Sequence, residues 1–442
     1  MSAEIATAAA KARAASRVLA TASAATRDAA LEAIALALEA EAPALIEANA
    51  RDIAAATVMV ERGEIGAPLL KRLDLGAKYD SVVGMVRSVA SQPDPLERTQ
   101  AATELAEGLD LYRISVPIGV LGVIFESRPD ALVQIAALCM KSGNAVLLKG
   151  GREASESNRA LAEVISRASQ TVPGIPDGWL VLLETREDVA AILGLNAHID
   201  LIIPRGSNEF VRYIMDNTNI PVMGHADGIC HVYVDEAADS AKALRVAIDA
   251  KTQYVGVCNA TETLLVHAKI ADRFLAEAIP ALIAAGVEVR GDARVQAIGG
   301  DSVSPATEED WATEYLDYII SIRVVDSMSE AIGHINHYGS HHTDAILTEN
   351  ADSALVFLRA VDSASVAHNA STRFADGFRY GLGAEVGVST NRLHSRGPVG
   401  LEGLTTYKYL LLGDGHTVDD YEGATPQPYS HRPLDQVWTP EG

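Results

Sequence analysis

Apolar residues in the first part of the chain recur at helical spacing: Leu31, Ile34, Ala35 and Leu38, then Leu45 and Ile46, with few β-branched runs among them. Positions three and four apart share one helix face, so residues 1 to about 108 are expected to form a helical layer. From about Asp110 the pattern changes. Residues 116–125 and 145–148 are continuous apolar runs of the kind a parallel sheet buries on both faces, and 130–140 between them has helical period. Runs at 180–183, 201–203 and 230–234 continue the strand series, alternating with helical stretches at 155–167, 186–193 and 209–215. Such alternation predicts a parallel sheet wound with helices. A second α/β block spans about 236–363. The tail after about 413 is rich in Gly, Pro, His and Asp without periodicity, as in an arm or surface wrap. Texture alone gives two α/β domains, with no internal repeat and no low-complexity linker.

A chain of 442 residues is long enough to bury a large core in two or three domains. The formal charge of −23, from 36 basic and 59 acidic residues, argues against a nucleic-acid partner. It also makes cations inside apolar motifs informative, and Arg128, Arg205, Arg373 and Arg396 are such residues. Three scattered cysteines, Cys139, Cys230 and Cys258, exclude a disulfide framework or a tetrahedral zinc site and suit a reducing, cytoplasmic compartment. No uncharged stretch approaches the roughly 18 residues of a membrane span, and the Ala-rich, charged start lacks the apolar run of a secretion signal.

Cys258 lies in Gln253-Tyr254-Val255-Gly256-Val257-Cys258-Asn259-Ala260-Thr261, a small polar break between apolar runs. Such a turn can present sulfur at a cleft, and a thiolate is the strongest nucleophile available near neutral pH. A lone cysteine without context is more often a core filler. Here the context is specific. His334-Ile335-Asn336-His337-Tyr338-Gly339-Ser340-His341-His342-Thr343-Asp344-Ala345-Ile346 resembles the signature of the gamma-glutamyl phosphate reductase family, also called glutamate-5-semialdehyde dehydrogenases, within the aldehyde dehydrogenase superfamily. The resemblance extends in order through Val116-Pro117-Ile118-Gly119, Leu148-Lys149-Gly150-Gly151-Arg152-Glu153, Ile203-Pro204-Arg205-Gly206, Cys258-Asn259, Arg373-Phe374-Ala375-Asp376-Gly377, Gly383-Ala384-Glu385-Val386 and Arg396-Gly397-Pro398-Val399-Gly400. These blocks span nearly the whole chain.

The resemblance implies a Rossmann-type cofactor domain, an α/β catalytic domain and a small oligomerisation element. On this chain they fall at 1–235 (helical layer and NADP-binding domain, completed by about 364–412), 236–363, and an arm at 413–442. It implies NADP(H) held by Lys149, Gly206, Ser207 and Glu314. Arg152 stands where NAD-preferring relatives often carry an acid, and a guanidinium suits a 2′-phosphate. It also implies a thioester on Cys258, with Asn259 beside it in the catalytic group and Ser127 as a second oxyanion donor. His225 occupies the position of the glutamate that activates water in hydrolytic relatives, consistent with an acyl group that arrives as a phosphate. Arg128, Arg373 and Arg396, with His225, are the candidates for holding substrate and phosphate.

The His-rich run carries imidazoles at helical spacing, but no carboxylate triad or second cysteine accompanies it, so no metal is expected. It is read as packing near the substrate or supporting the Cys258 loop. The remaining alternatives are an NADP-dependent dehydrogenase of free aldehydes and a non-catalytic protein that kept the fold. A homo-oligomer and an association with a separate glutamate kinase are the expected assemblies.

Overall fold

The computed structural model describes residues 2–66, 68–126, 128–184, 186–206, 208–224 and 227–439. Ser127, Ser207 and His225 lie outside the described residues. The chain opens with helices α1 (Ser2–Leu19), α2 (Ala24–Ala40), α3 (Ala42–Glu61), α4 (Pro68–Leu73) and α5 (Tyr79–Ala90). Ser23 caps α2 by accepting the Thr26 N–H. Leu31, Ile34, Ala35 and Leu38 are buried on one α2 face, as their spacing predicts, and Leu45 turns inward on α3, whereas its neighbour Ile46 is 39% exposed. Successive positions are turned by about 100° around a helix, so the edge of the buried face falls between Leu45 and Ile46.

Expected as helical to about 108, the chain instead leaves the helical layer at Ala90. Strands β1 (Thr99–Ala106) and β2 (Leu109–Pro117) form an antiparallel hairpin turning at Glu107-Gly108. Next come β3 (Val120–Phe125), α6 (Pro129–Lys141), β4 (Ala145–Lys149), α7 (Ser155–Ser169), β5 (Leu180–Leu183), α8 (Arg186–Leu193), β6 (Leu201–Arg205) and α9 (Asn208–Asp216). Their strands make a parallel sheet of order β5-β4-β3-β6. All of β3 and β4 is buried, because the helical layer and the crossover helices cover the sheet in one continuous apolar core.

Strand β7 (Cys230–Val234), which the sequence pattern assigned to this first series, belongs elsewhere. It hydrogen-bonds between β8 (Thr261–His267) and β12 (Thr343–Leu347) in a second parallel sheet, with β9 (Glu288–Gly291), β10 (Ser304–Pro305), β11 (Ile319–Val325) and β13 (Ser365–His368), order β10-β9-β11-β8-β7-β12-β13. A buried strand is apolar on both faces in either sheet, so its residues alone do not reveal its neighbours. Helices α10 (Ser240–Thr252), α11 (Ala268–Ala284), α12 (Ala293–Gly299), α13 (Met328–Tyr338) and α14 (Ala351–Ala360) wind this sheet. The paired β14 (Val388–Ser389) and β15 (Gly397–Pro398) follow.

Strand β16 (Thr405–Leu412) then pairs along the whole of its length with β2, and β17 (Arg432–Pro433) pairs with β1, giving an antiparallel sheet β16-β2-β1-β17. Between them runs α15 (Asp419–Glu422), and Tyr421, Tyr429 and His431 stack in succession to fix the tail against this sheet. Among the described residues no helix is long and apolar enough to cross a membrane.

Candidate active site

Cys258 occupies the loop between α10 and the buried strand β8. It is a free, part-buried thiol, whereas Cys139 and Cys230 are buried. Burial pushes both of those thiols well above the ordinary range, which leaves them inert. The loop is fastened on two sides. From one side, the Cys230 sulfur donates to the Cys258 carbonyl at 3.2 Å, and Gly228 approaches so closely that a Cβ there would lie 2.5 Å from both Cα and Cβ of Cys258. From the other, Thr372 donates to the Asn259 carbonyl at 2.7 Å and the Asn259 amide donates to the Ala375 carbonyl at 2.8 Å. The Asn259 side chain thus straps the loop to the segment carrying Arg373.

Arg373 is buried, and its Nε donates to the Gln253 side chain at 3.0 Å, on the same loop as Cys258. Burial, and then neighbouring Arg379, pull its pKa down, while Asp376 and then Cys258 oppose that depression. Arg128 precedes α6 and pairs with Asp130 at 2.9 Å, its side chain 43% exposed. Arg205, at the end of β6, is opposite Phe125 in the sheet register. Burial and then Arg128 depress the Arg205 pKa, and Glu385 and Cys258 oppose that depression. Burial raises the Glu385 pKa, Arg205 lowers it, and its Oε2 accepts the Gly377 N–H at 2.8 Å. The structure therefore brings Arg205 and Arg373 into the electrostatic surroundings of Cys258, with Arg128 near Arg205. Arg396 is elsewhere: it pairs with Asp362 at 3.1 Å and lines a cavity of about 420 Å³ with Gln92, Arg98 and His394.

A second set of residues faces the ends of β4 and β6. Lys149 ends β4, buried, its ammonium bonded to the Gly150 carbonyl. Gly206 follows β6, where a Cβ would meet the Phe210 ring at 2.9 Å and the Glu126 carboxylate at 3.1 Å. Glu314, from the region of the second sheet, accepts from the Asn208 amide at 2.9 Å, and so reaches the first turn of α9. Arg152 is exposed and faces Glu64 at 3.4 Å. An exposed pair of this kind contributes little, so a phosphate can displace the carboxylate. A phosphorylated dinucleotide fits this set: a helix start and a glycine for the backbone approach, a buried cation at a strand end, and an exposed guanidinium beyond.

Sequence reasoning missed Gly228, the Cys230 contact, and a buried ion pair, Lys251–Glu262 at 2.5 Å, which joins the two flanks of the Cys258 loop. Burial raises the Glu262 pKa and lowers that of Lys251. A Lys and a Glu set just outside a cysteine turn are a signal, though an ordinary one for two helix and strand ends. The His-rich run does reach the loop's support: Ser340 accepts the Ile229 N–H at 2.8 Å, and His342 Nδ1 is 3.8 Å from the Cys230 sulfur. Its imidazoles diverge, His334 packing against His231, Trp311 and Tyr338 while His337 is exposed. Among the described residues no group of His, Cys, Asp and Glu could hold a metal ion.

Comparison with known proteins adds an independent line. The sequence model of the aldehyde dehydrogenase family matches residues 1–296. A gamma-glutamyl phosphate reductase of Natronomonas pharaonis is 55% identical over 93% of this chain and 93% of its own length, and one of Synechococcus is 57% identical over 95% and 92%. The crystal structure of gamma-glutamyl phosphate reductase from Thermotoga maritima superimposes with a TM-score of 0.89 at 42% identity, covering 94% of this chain and 99% of that one.

Proposed function

This chain belongs to the gamma-glutamyl phosphate reductases of the aldehyde dehydrogenase family, and we propose that it uses NADPH to reduce gamma-glutamyl phosphate to glutamate-5-semialdehyde and phosphate, the second step from glutamate to proline. The observation that carries the reading is a part-buried thiol, Cys258, on a fastened loop in the field of Arg205 and Arg373. Cations there favour an anionic substrate beside the sulfur.

The Cys258 sulfur attacks the acyl carbon. The carbon–sulfur bond forms as the bond to the phosphate oxygen breaks, and phosphate leaves with both electrons of that bond. The Cys258 backbone N–H donates to the carbonyl oxygen as it gains charge, with Ser127 as the candidate second donor. Arg128 and Arg373 balance the negative charge of substrate and leaving group. Lys149, Gly206, Ser207 and Glu314 would hold the nicotinamide cofactor, and Arg152 its 2′-phosphate. When bound, that cofactor supplies the hydride that turns the thioester carbon into an aldehyde carbon. Cys258 then regains its electron pair as the carbonyl re-forms. His225, in place of a hydrolytic glutamate, leaves the thioester to phosphate rather than water in the reverse direction.

In this division of labour the four-stranded parallel sheet carries the cofactor and the seven-stranded sheet the nucleophile. The antiparallel sheet serves assembly of like copies, because the exposed face of its edge strand β16 shows Tyr407, Tyr409 and Leu411 to solvent. The test is the reverse reaction. Semialdehyde with NADP but no phosphate should give at most one reduced cofactor per Cys258; phosphate or arsenate should restore turnover. Sustained glutamate production in phosphate-free buffer would refute the reading.

A further inference from the structure

We propose that Arg205 is the principal ligand of the transferred phosphate, binding the phosphoryl oxygens of the acyl phosphate and the departing phosphate dianion, with Arg128 as its partner. The inference rests on the function proposed above and adds a residue to it. The other arginines singled out by the sequence or neighbouring the loop each hold a partner. Arg128 is bonded to Asp130, Arg373 to Gln253, Arg379 to the Arg373 carbonyl and Arg396 to Asp362. Arg396 keeps a buried Nε without a partner, but its Nη2 is paired with Asp362; Arg205 has a buried, unpartnered Nη1 and no ion pair among the described residues to offset it.

A buried guanidinium N–H without an acceptor is costly, and persists where something other than the protein satisfies it. Two further features say what that something is. Arg128 lies close enough to Arg205 to disfavour its charge, an arrangement that repels unless an anion sits between the two cations. Glu385 is the acid nearest in electrostatic effect, yet it forms no ion pair with either guanidinium among the described residues, and its Oε2 is committed to the Gly377 N–H. The unmet donor, the paired cations and the uncommitted position next to Cys258 fit one ligand chemistry, a tetrahedral oxyanion carrying two charges.

Position also matters. Arg205 ends β6, whose preceding residues 201–204 are all buried, so the side chain projects from a rigid strand end rather than from a loop. Its neighbour in the register, Phe125, ends β3, and the chain runs from there through Glu126 to Arg128. Arg205 therefore ends one strand, and Arg128 stands just before α6, beyond the end of the neighbouring strand.

Two variants test this, Arg205→Gln and Arg205→Lys, each in the full-length protein. With semialdehyde, NADP and phosphate, Arg205→Gln should raise the KM for phosphate by about 100-fold, and Arg205→Lys, which keeps a charge but loses the fork, by about tenfold. Both should still give a burst approaching one reduced cofactor per Cys258 in phosphate-free buffer, because acylation from the aldehyde does not involve phosphate. A second readout needs no turnover. Inorganic phosphate should slow iodoacetamide alkylation of Cys258 in the wild-type protein and leave its rate unchanged in Arg205→Gln. If Arg205→Gln does not fold, the phosphate KM of Arg205→Lys decides. A phosphate KM within twofold of wild type, or phosphate protection retained in Arg205→Gln, overturns the assignment. Absence of any burst or phosphate requirement in the wild-type protein would instead defeat the proposed function itself.

Discussion

Gly228→Ala tests whether the placement of the nucleophile depends on a steric contact seen only in the folded chain. Gly228 does not adopt a positive φ, so an alanine there meets no torsional objection and the whole effect comes from contact. Its Cβ would lie 2.5 Å from Cα and Cβ of Cys258, and would press on the Cys258 carbonyl as well. Carbon atoms pack at about 3.5–4.0 Å, so one backbone or the other must retreat by about 1 Å. Overpacking of this kind costs about 1–3 kcal/mol of stability, which in a domain of this size lowers Tm by only a few degrees. The catalytic cost is larger, because a misplacement of about 1 Å at the reacting atom can cost about 100-fold in rate. Gly224→Ala in the same segment is the control, since its Cβ would meet Pro204 no closer than 3.5 Å. The assay is kcat from the absorbance of the reduced cofactor, alongside the melting temperature. Gly228→Ala should keep its fold and lose about two orders of magnitude in kcat, with Gly224→Ala near wild type. A kcat for Gly228→Ala within threefold of wild type, or an equal loss in both variants, would refute the reasoning.

Cys258→Ser should abolish turnover with folding intact, while Cys139→Ala, in the apolar core, should lower stability by about 1–2 kcal/mol and keep activity; turnover surviving in Cys258→Ser would end the covalent mechanism. Arg152→Glu should weaken NADP(H) by about 1–3 kcal/mol with a smaller effect on NAD(H), and equal losses measured by titration would show that the residue does not read the 2′-phosphate. His334 is held neutral, its pKa pulled down to about 2 by burial and then by His231, Arg323 and His337. Its unfolded pKa is near 6.5, so the unfolded chain gains a proton that the folded chain refuses: this contribution is intact above about pH 6.5 and falls by about 1.4 kcal/mol per pH unit below it. Denaturant titrations of wild type and His334→Asn between pH 6 and 4 should differ by that slope, and parallel curves would contradict the assignment.

Periodicity made much of this fold legible, and it failed where a residue's partner is distant. The β3 and β4 runs were readable because a short continuous apolar stretch between helical patterns suits a strand covered on both faces and little else. The β1–β2 hairpin was readable in principle from Glu107-Gly108 between Leu105 and Leu109, but the apolar texture of the helices before it masked the change of period. β7 was recognisable as a strand and was assigned to the wrong sheet, since sheet membership lies in backbone pairing rather than in side-chain identity. At the site, Cys258 and Arg373 could be named as candidates because each sits in a distinctive block, whereas Glu314 was named only through the resemblance. Arg205 was noticed only as a cation in an apolar motif, and its unmet Nη1 exists only once β3 and β6 are side by side. Gly228 carries no chemistry of its own, and only the folded backbone brings it against Cys258.

The antiparallel sheet has a consequence for how the chain matures. Its inner hairpin comes from residues 99–117, but the strands that flank it are β16 and β17, at 405–412 and 432–433. During synthesis the hairpin therefore emerges with both edges bare and keeps them so while both parallel sheets are being made. Closing loops of such length is slow, and bare strand edges invite pairing with other chains. The late strands thus act as a latch on an early hairpin, and removing the segment from Thr405 onward would leave two parallel sheets intact beside a hairpin with both edges open to solvent.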